Sequence, residues 1–338
     1  MKITKTKTGK YTARVFLGTQ PDGRKILKRI TAPSKEDILL MELDLRKEKI
    51  QAERLTLKSA MHRYNDSRSN ILSPSTMISY IRYADRVFSD ELYDKDLNQI
   101  SDDDIQKEAN RLSKKVSPKT VRNYIFYLVT VMEEYTRNRK VKVVLPKKKK
   151  VVLHIPSDDD IQKIYEAVQN TDLELPVLLA SQCGLRRSEI AALTYDDVNE
   201  DTMQISIAKA TVRDPDKNYT TKAPKSYAGY RHVDINEHIL QIIKERHAKG
   251  LPMIELHADI ISSRFRRLID RIGLHGIRFH NLRHYYATIL LELGIPDKFA
   301  IELTGHSTTY MLREVYQHTR DQKMNEYRQL IQAKLSNS

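Results

Sequence analysis

The chain of 338 residues has one cysteine, Cys183, which excludes an internal disulfide and leaves too few thiols for a zinc–thiolate site. No apolar stretch approaches the roughly 20 residues that span a bilayer. The opening MKITKTKTGK lacks the apolar run of a secretory signal, so a cytoplasmic, non-membrane protein is expected. Acid is also short: 44 Asp and Glu against 58 Lys and Arg leave a net charge of +14. That excess selects a polyanionic partner, and without a membrane segment the favoured one is nucleic acid. A phosphate-cradling G-x-x-x-x-G-K-[ST] loop is missing, as is any Asp/Glu cluster of metal-binding character. No cofactor and no metal are therefore expected. Hydrophobic residues at 40% and charged residues at 30% suit two or three soluble globular domains.

The positive charge is unevenly spread. Residues 1–35 hold ten Lys or Arg and one acid, Asp22. Residues 11–18 alternate as a strand, Gln20-Pro21-Asp22-Gly23 signals a turn, and residues 25–31 return as a second strand. Leu39, Leu40, Leu43 and Ile50 then follow helical spacing. Residues 1–52 read as a small basic sheet with one helix, and a defined turn between basic strands favours nucleic-acid binding over a solubilising extension. The candidate phosphate contacts are Lys5, Lys7, Lys10, Arg14, Arg24, Lys25, Lys28 and Arg29.

Residues 54–137 carry helical spacing at 56–66, 74–88, 102–112 and 118–135, with starts marked by Ser73-Pro74, Ser101 with Asp104, and Ser117-Pro118. The acidic triplets at 102–104 and 158–160 read as helix-start caps rather than magnesium ligands. Residues 137–150 hold eight Lys or Arg and no acid. This run, within a basic linker at 138–156, is expected to be extended and unable to pack, with Lys147, Lys148, Lys149 and Lys150 along a phosphate backbone. A further domain, 157–338, opens on Ser157 with Asp160. Its helices are expected at 158–168, 173–182, 187–195, 237–247, 260–272, 281–293, 296–303 and 323–335. Strand signals occur there only at 203–208 and 231–235, joined by a long polar connection. The fold class is mainly α with small β elements.

Four places in this last domain concentrate reactive side chains. Cys183-Gly184-Leu185-Arg186-Arg187-Ser188-Glu189 puts arginines where a glycine ends one helix and the N–H groups of the next gather, a natural oxyanion site. Lys222 and Lys225 lie in the polar connection before Arg231, and the Pro-Lys-Ser context favours Lys225. His280 and Arg283 are three apart and share a helix face. His306 follows Gly305, and Tyr316 lies ten residues beyond. Each alone has a plain structural reading: a helix pair, a C-cap, a core tyrosine. Two arginines, two histidines, a lysine and a tyrosine in this order suit metal-free phosphoryl transfer to a tyrosine, with arginines in the role of divalent ions.

With SQCGLRRSEIAAL at 181–193 and HNLRHYYAT…LTGHSTTYMLREVYQH from 280 to 318, the chain resembles the tyrosine recombinases of the phage and integrative-element integrase family, lambda integrase among them. The resemblance covers 157 to the C-terminus by motif and the rest by layout. It implies an N-terminal β-sheet plus helix as an arm-type DNA-binding domain, a helical core-site-binding domain and a mixed α+β catalytic domain. It implies Tyr316 as the nucleophile forming a 3′-phosphotyrosine, rather than Tyr310, which lies close to His306. Arg186 and Arg283 would clamp the phosphate, Lys225 protonate the leaving 5′-oxygen, His280 handle the tyrosine proton, and His306 donate to the phosphate. Glu189 would orient Arg186 or a histidine, its plain alternative being a surface carboxylate. Cys183 and Thr304 depart from the usual threonine and leucine without touching this chemistry. Implied partners are duplex DNA at core-type and arm-type sites, a homotetramer in the synapse, an excisionase and a host DNA-bending protein, in a nucleoid-associated setting. A helix bearing Tyr327, Leu330, Ile331 and Leu335 would pack on its own domain or dock on a neighbouring protomer. Same-chemistry resolvases or invertases, and a catalytically silent DNA-binding regulator, are the alternatives; the intact set of six residues argues against the last.

Overall fold

The computed structural model describes residues 1–6, 8–19, 24–53, 55–136, 139–148, 154–223 and 229–305, and then 328–329, 331–332 and 334–335. The chain divides into two compact units, Met1–Leu72 with Ser79–Lys149, and Ser73–Ile78 with Lys150–Ser338.

The first unit opens with an antiparallel sheet, β1 (Ile3–Lys5), β2 (Tyr11–Thr19) and β3 (Lys25–Ala32), in that order. Alternation along β2 and β3 sends Ala13, Val15, Ile30 and Ala32 to one face, where they form a small core with Ile38 of α1 (Lys35–Glu53). Ser34 caps that helix, accepting from the Asp37 amide at 3.0 Å. Leu39, Leu40 and Leu43, whose spacing suggested the helix, are exposed. On the outer sheet face Arg14 stands opposite Arg29 and Phe16 opposite Leu27, all exposed.

Five helices follow: α2 (Leu57–Asp66), α3 (Pro74–Arg86), α4 (Asp90–Tyr93), α5 (Asp102–Ser113) and α6 (Pro118–Tyr135). Thr56, Ser101 and Ser117 cap α2, α5 and α6, and Asp104 closes a reciprocal capping box with Ser101. Leu57, Met61, Ile105, Val121 and Leu128 fill their core beside clustered tyrosines, Tyr83 meeting Tyr124 edge-on at 4.8 Å.

The lysine-rich run corrects an expectation. Residues 139–148 are irregular and extended, yet Val141, Val143 and Leu145 pack against the helical core. Arg139 pairs with Asp102 at 2.7 Å, and the Val144 amide donates to Gln106 Oε1 at 2.8 Å. Val141, Val143 and Leu145 alternate with Lys140, Lys142 and the exposed Val144, so one edge packs while the other stays in water.

The second unit contains α7 (Asp158–Val168), α8 (Glu174–Gln182), α9 (Arg187–Ile190), β4 (Val198–Asn199), β5 (Gln204–Ile207), β6 (Ala210–Arg213), β7 (Tyr219–Lys222), β8 (Arg231–Asp234), α10 (Glu237–Ala248), α11 (Ala258–Arg271), α12 (Phe279–Glu292) and α13 (Asp297–Thr304). Ser157 and Asp160 form a capping box at the start of α7. Helix α8 is apolar all round, and its residues from Leu175 to Ser181 are buried, which places it at the centre. The sheet order is β4-β5-β8, antiparallel.

Two expectations fail here. Helix α9 stops at Ile190 because Thr194 opens a new capping box with Asp197. The polar connection contains the hairpin β6–β7, whose threonine-rich strands look like loop by hydrophobicity while threonine favours strand backbone. Among the described residues no helix is long and apolar enough to cross a membrane.

Candidate active site

Glycine at 184 is demanded twice. It takes the left-handed conformation (φ +67°), and a Cβ there would run into the Tyr286 ring. This bend ends α8 and turns the Gly184 carbonyl toward α12, where it accepts from Arg283 Nη1 at 2.6 Å. Arg283 is 1% exposed, and its Nε and Nη2 have no hydrogen-bond partner among the described residues. Burial, then the charge of Arg186, drives its pKa well down, with Glu189 opposing. A guanidinium keeps its proton in proteins, so the strain registers as demand for an anion.

Two residues beyond Gly184, Arg186 is the N-cap of α9. Its backbone amide donates to Glu189 Oε2 at 2.9 Å and its Nη1 to Glu189 Oε1 at 2.6 Å. Its Nη2 donates to the carbonyl of Gly305, which ends α13 in the left-handed conformation. Glu189 is 4% exposed, so it is no surface carboxylate. Its second partner is not a histidine but Arg231, whose Nη2 lies 3.0 Å from Oε2. Burial pushes the Glu189 pKa up, but the charge and hydrogen bond of Arg231, with Arg186, outweigh it and hold the carboxyl below its ordinary range.

Helix α12 starts where Asn281 Oδ1 accepts from the Arg278 amide at 2.6 Å, and its first turn carries His280. The ring meets His284 edge-on at 4.8 Å. Desolvation, followed by the positive fields of His284, Arg283, Arg186 and Arg187, pushes the His280 pKa down to about 4. His280 also opens to solvent, which softens the shift; its direction leaves a neutral imidazole at pH 7. Arg186 and His280 line a cleft of about 870 Å³ with Arg187, Arg266 and Arg278, against Asp259 and Asp270.

Arg186, Glu189, His280 and Arg283 thus share one site, reached from four sequence positions. Lys225, His306, Tyr310 and Tyr316 lie outside the described residues, as do Lys7, Lys149 and Lys150. Lys222 ends β7, half-buried. Lys5 and Lys28 fall on the α1 side of the N-terminal sheet by register, away from Arg14 and Arg29; Lys10, Arg24, Lys147 and Lys148 are exposed, and Lys25 begins β3. Cys183 is buried, its thiol pushed up to about 12 by burial, and Thr304 bonds back to the Ala300 carbonyl at 2.6 Å. Sequence reading missed Arg231 as a member of the site; the signal available was an arginine at an inward strand position, alternating with exposed His232. Among the described residues, no group of three or more His, Cys, Asp and Glu is placed to hold a metal ion.

Residues 157–323 match the phage integrase family. A tyrosine recombinase XerC-like protein of Caldanaerobacter subterraneus subsp. tengcongensis is 26% identical over 94% of this chain and 95% of its own length. The ICEBs1 integrase of Bacillus subtilis is 24% identical over 96% of this chain and 98% of its own. Among solved structures, the Tn1549 transposon integrase in complex with a circular intermediate DNA superposes with a TM-score of 0.68 at 17% identity, covering 81% of this chain and 99% of that one. A lambda integrase tetramer bound to a Holliday junction gives 0.55 at 18% identity, covering 91% of this chain and 96% of that one. The fold is theirs, and the chain belongs to the phage integrase family, the tyrosine recombinases.

Proposed function

We propose that this protein is a site-specific DNA recombinase, an integrase that joins a mobile element or prophage to a chromosome and excises it. The observation that carries the reading is Arg283: a fully buried guanidinium, two of its nitrogens without a hydrogen-bond partner among the described residues, beside Arg186 and His280. A phosphodiester supplies one negative charge and two non-bridging oxygens, which matches that deficit.

In this mechanism Tyr316 Oη attacks the scissile phosphorus and the P–O5′ bond breaks. Neutral His280 accepts the tyrosine proton, and Lys225 delivers one to the leaving 5′-oxygen. Arg186 and Arg283 hold the non-bridging oxygens as charge builds, joined by His306. One phosphodiester replaces another, so the reverse attack by a new 5′-hydroxyl reseals the strand. Glu189 keeps Arg186 in place.

Binding is bipartite. The outer face of the N-terminal sheet, residues 1–52, presents Arg14 and Arg29 directly opposite each other; like charges so placed repel unless an anion lies between them. That face binds arm-type DNA. The helical region 54–137 and the domain 157–338 grip the core site, with Lys147 to Lys150 on the backbone between them. The acting form is a homotetramer on paired sites, assisted by an excisionase and a host bending protein, at the bacterial nucleoid.

A nicked suicide duplex spanning the element–chromosome junction beside the gene tests this. Wild-type protein forms an SDS-resistant DNA adduct, and Tyr316→Phe does not. An adduct with the phenylalanine variant overturns the nucleophile assignment, and specific binding without any wild-type adduct leaves a silent regulator.

A further inference from the structure

Arg231 is buried as deeply as a core leucine, its side chain 3% exposed, yet each of its three side-chain nitrogens has an acceptor. Nη2 reaches Glu189 Oε2 at 3.0 Å, Nε the Leu303 carbonyl at 3.2 Å and Nη1 the Gly229 carbonyl at 3.4 Å. These acceptors belong to three stretches of chain. Glu189 is in α9 beside Arg186. Leu303 is in the last turn of α13, two residues before the Gly305 carbonyl that Arg186 also holds. Gly229 closes the connection from β7 to β8 that carries Lys225. Two arginines therefore grip the same helix end, where unpaired carbonyls gather negative potential.

The arrangement also divides one carboxylate between two guanidiniums. Without Arg231, Glu189 Oε2 would keep only the Arg186 amide and could take the Arg186 side chain as well, closing a bidentate pair, the strongest arrangement such groups make. Arg186 would then be neutralised and drawn toward α9. With Arg231 on Oε2, the Arg186 side chain keeps a single contact to Glu189, and the cluster retains net positive charge. Three guanidiniums, of Arg186, Arg231 and Arg283, face this one buried carboxylate.

We infer that Arg231 is a positioning residue for strand cleavage: it limits the hold of Glu189 on Arg186 and ties the Lys225 connection to the α13 end that leads to His306. This rests on the reading of Arg186 as a phosphate-binding group. A purely structural ion pair costs stability when broken but leaves the chemical step of the folded protein alone. A positioning group changes that step at unchanged DNA affinity.

The test compares full-length wild type, Arg231→Gln, Arg231→Lys, Glu189→Gln and the double Glu189→Gln/Arg231→Gln. Each is assayed for equilibrium binding to the nicked junction duplex and for the single-turnover rate of covalent adduct formation. Arg231→Gln is expected to slow adduct formation about a hundred-fold with affinity within about three-fold, the scale of a displaced catalytic group. Arg231→Lys recovers about ten-fold of that loss, because charge returns without the fork. The double variant is no slower than the slower single, since both act through Arg186. Rate and affinity falling together, losses that multiply across the pair, or a glutamine variant at wild-type rate overturns the inference. Should the glutamine variant not fold, the lysine variant decides: about ten-fold slower at unchanged affinity supports it, and the wild-type rate overturns it. Absence of adduct from wild type removes the functional reading itself, an outcome distinct from variants that react like wild type.

Discussion

Each unit of the molecule buries a glutamate that pairs with arginine, one partner in the first unit and two in the second, and the two clusters are built differently. In the first, Glu108 is 4% exposed and accepts from Arg111 at 2.5 and 2.9 Å and from the Ser89 amide at 3.0 Å. Arg111 also donates to the Val87 carbonyl at 2.7 Å, so charge and hydrogen bonds both close. In the second, Glu189 faces Arg186 and Arg231 while Arg283 keeps two buried donors without a partner among the described residues. A balanced, satisfied pair ties α5 to the turn between α3 and α4. A buried surplus of positive charge is half of an interaction whose other half arrives with the ligand.

Replacing the surplus should separate activity from stability. Arg283→Met is expected to slow single-turnover adduct formation about a thousand-fold, the scale of missing transition-state donors, while thermal unfolding stays level or rises. A coincident fall in both would make Arg283 structural. The balanced cluster should behave in the opposite way. Arg111→Ala leaves Glu108 buried and uncompensated, and should cost about 2–3 kcal/mol in urea unfolding, below the range for fully buried pairs because Arg111 is 35% exposed. The adduct rate of the folded fraction should stay within about two-fold.

The surplus should also be visible against pH. His280 in the folded protein is held below its ordinary 6.5, toward about 4, by burial and the arginines around it, so the unfolded chain takes up the proton first. Its contribution to stability is full above pH 6.5 and lost as pH falls from there through 4. His280→Asn should flatten that part of the urea-unfolding profile, and an unchanged profile would contradict a neutral imidazole among the arginines. The smallest effect concerns the N-terminal sheet. Arg14→Ala with Arg29→Ala should lower the slope of log affinity against log salt by about 0.9 for each phosphate of arm-type DNA that is no longer neutralised. The slope on a core duplex should not move.

Elements with strong periodicity and caps were legible in the sequence. Ser101, Ser117 and Ser157 mark helix starts that the structure keeps, because capping is decided within four residues. The β6–β7 hairpin was not legible, since its threonine-rich strands carry no apolar alternation. The packing of Val141, Val143 and Leu145 was masked by the lysines around them. At the site, residue order and the family resemblance pointed to Arg186, His280 and Arg283 as candidates, but not to how they are held. Arg231 meets Glu189 across 42 residues and the α13 carbonyl across 72, and no local pattern reports contacts at such separations.

The most direct measurement is to find where the DNA is attached. Adduct formed on the nicked duplex is digested with nuclease and trypsin, and the nucleotide-bearing peptide is sequenced by mass spectrometry. The account predicts a 3′-linked nucleotide on Tyr316, in the peptide spanning 314–320. Attachment at Tyr310, in the preceding tryptic peptide, or at any other residue would contradict it.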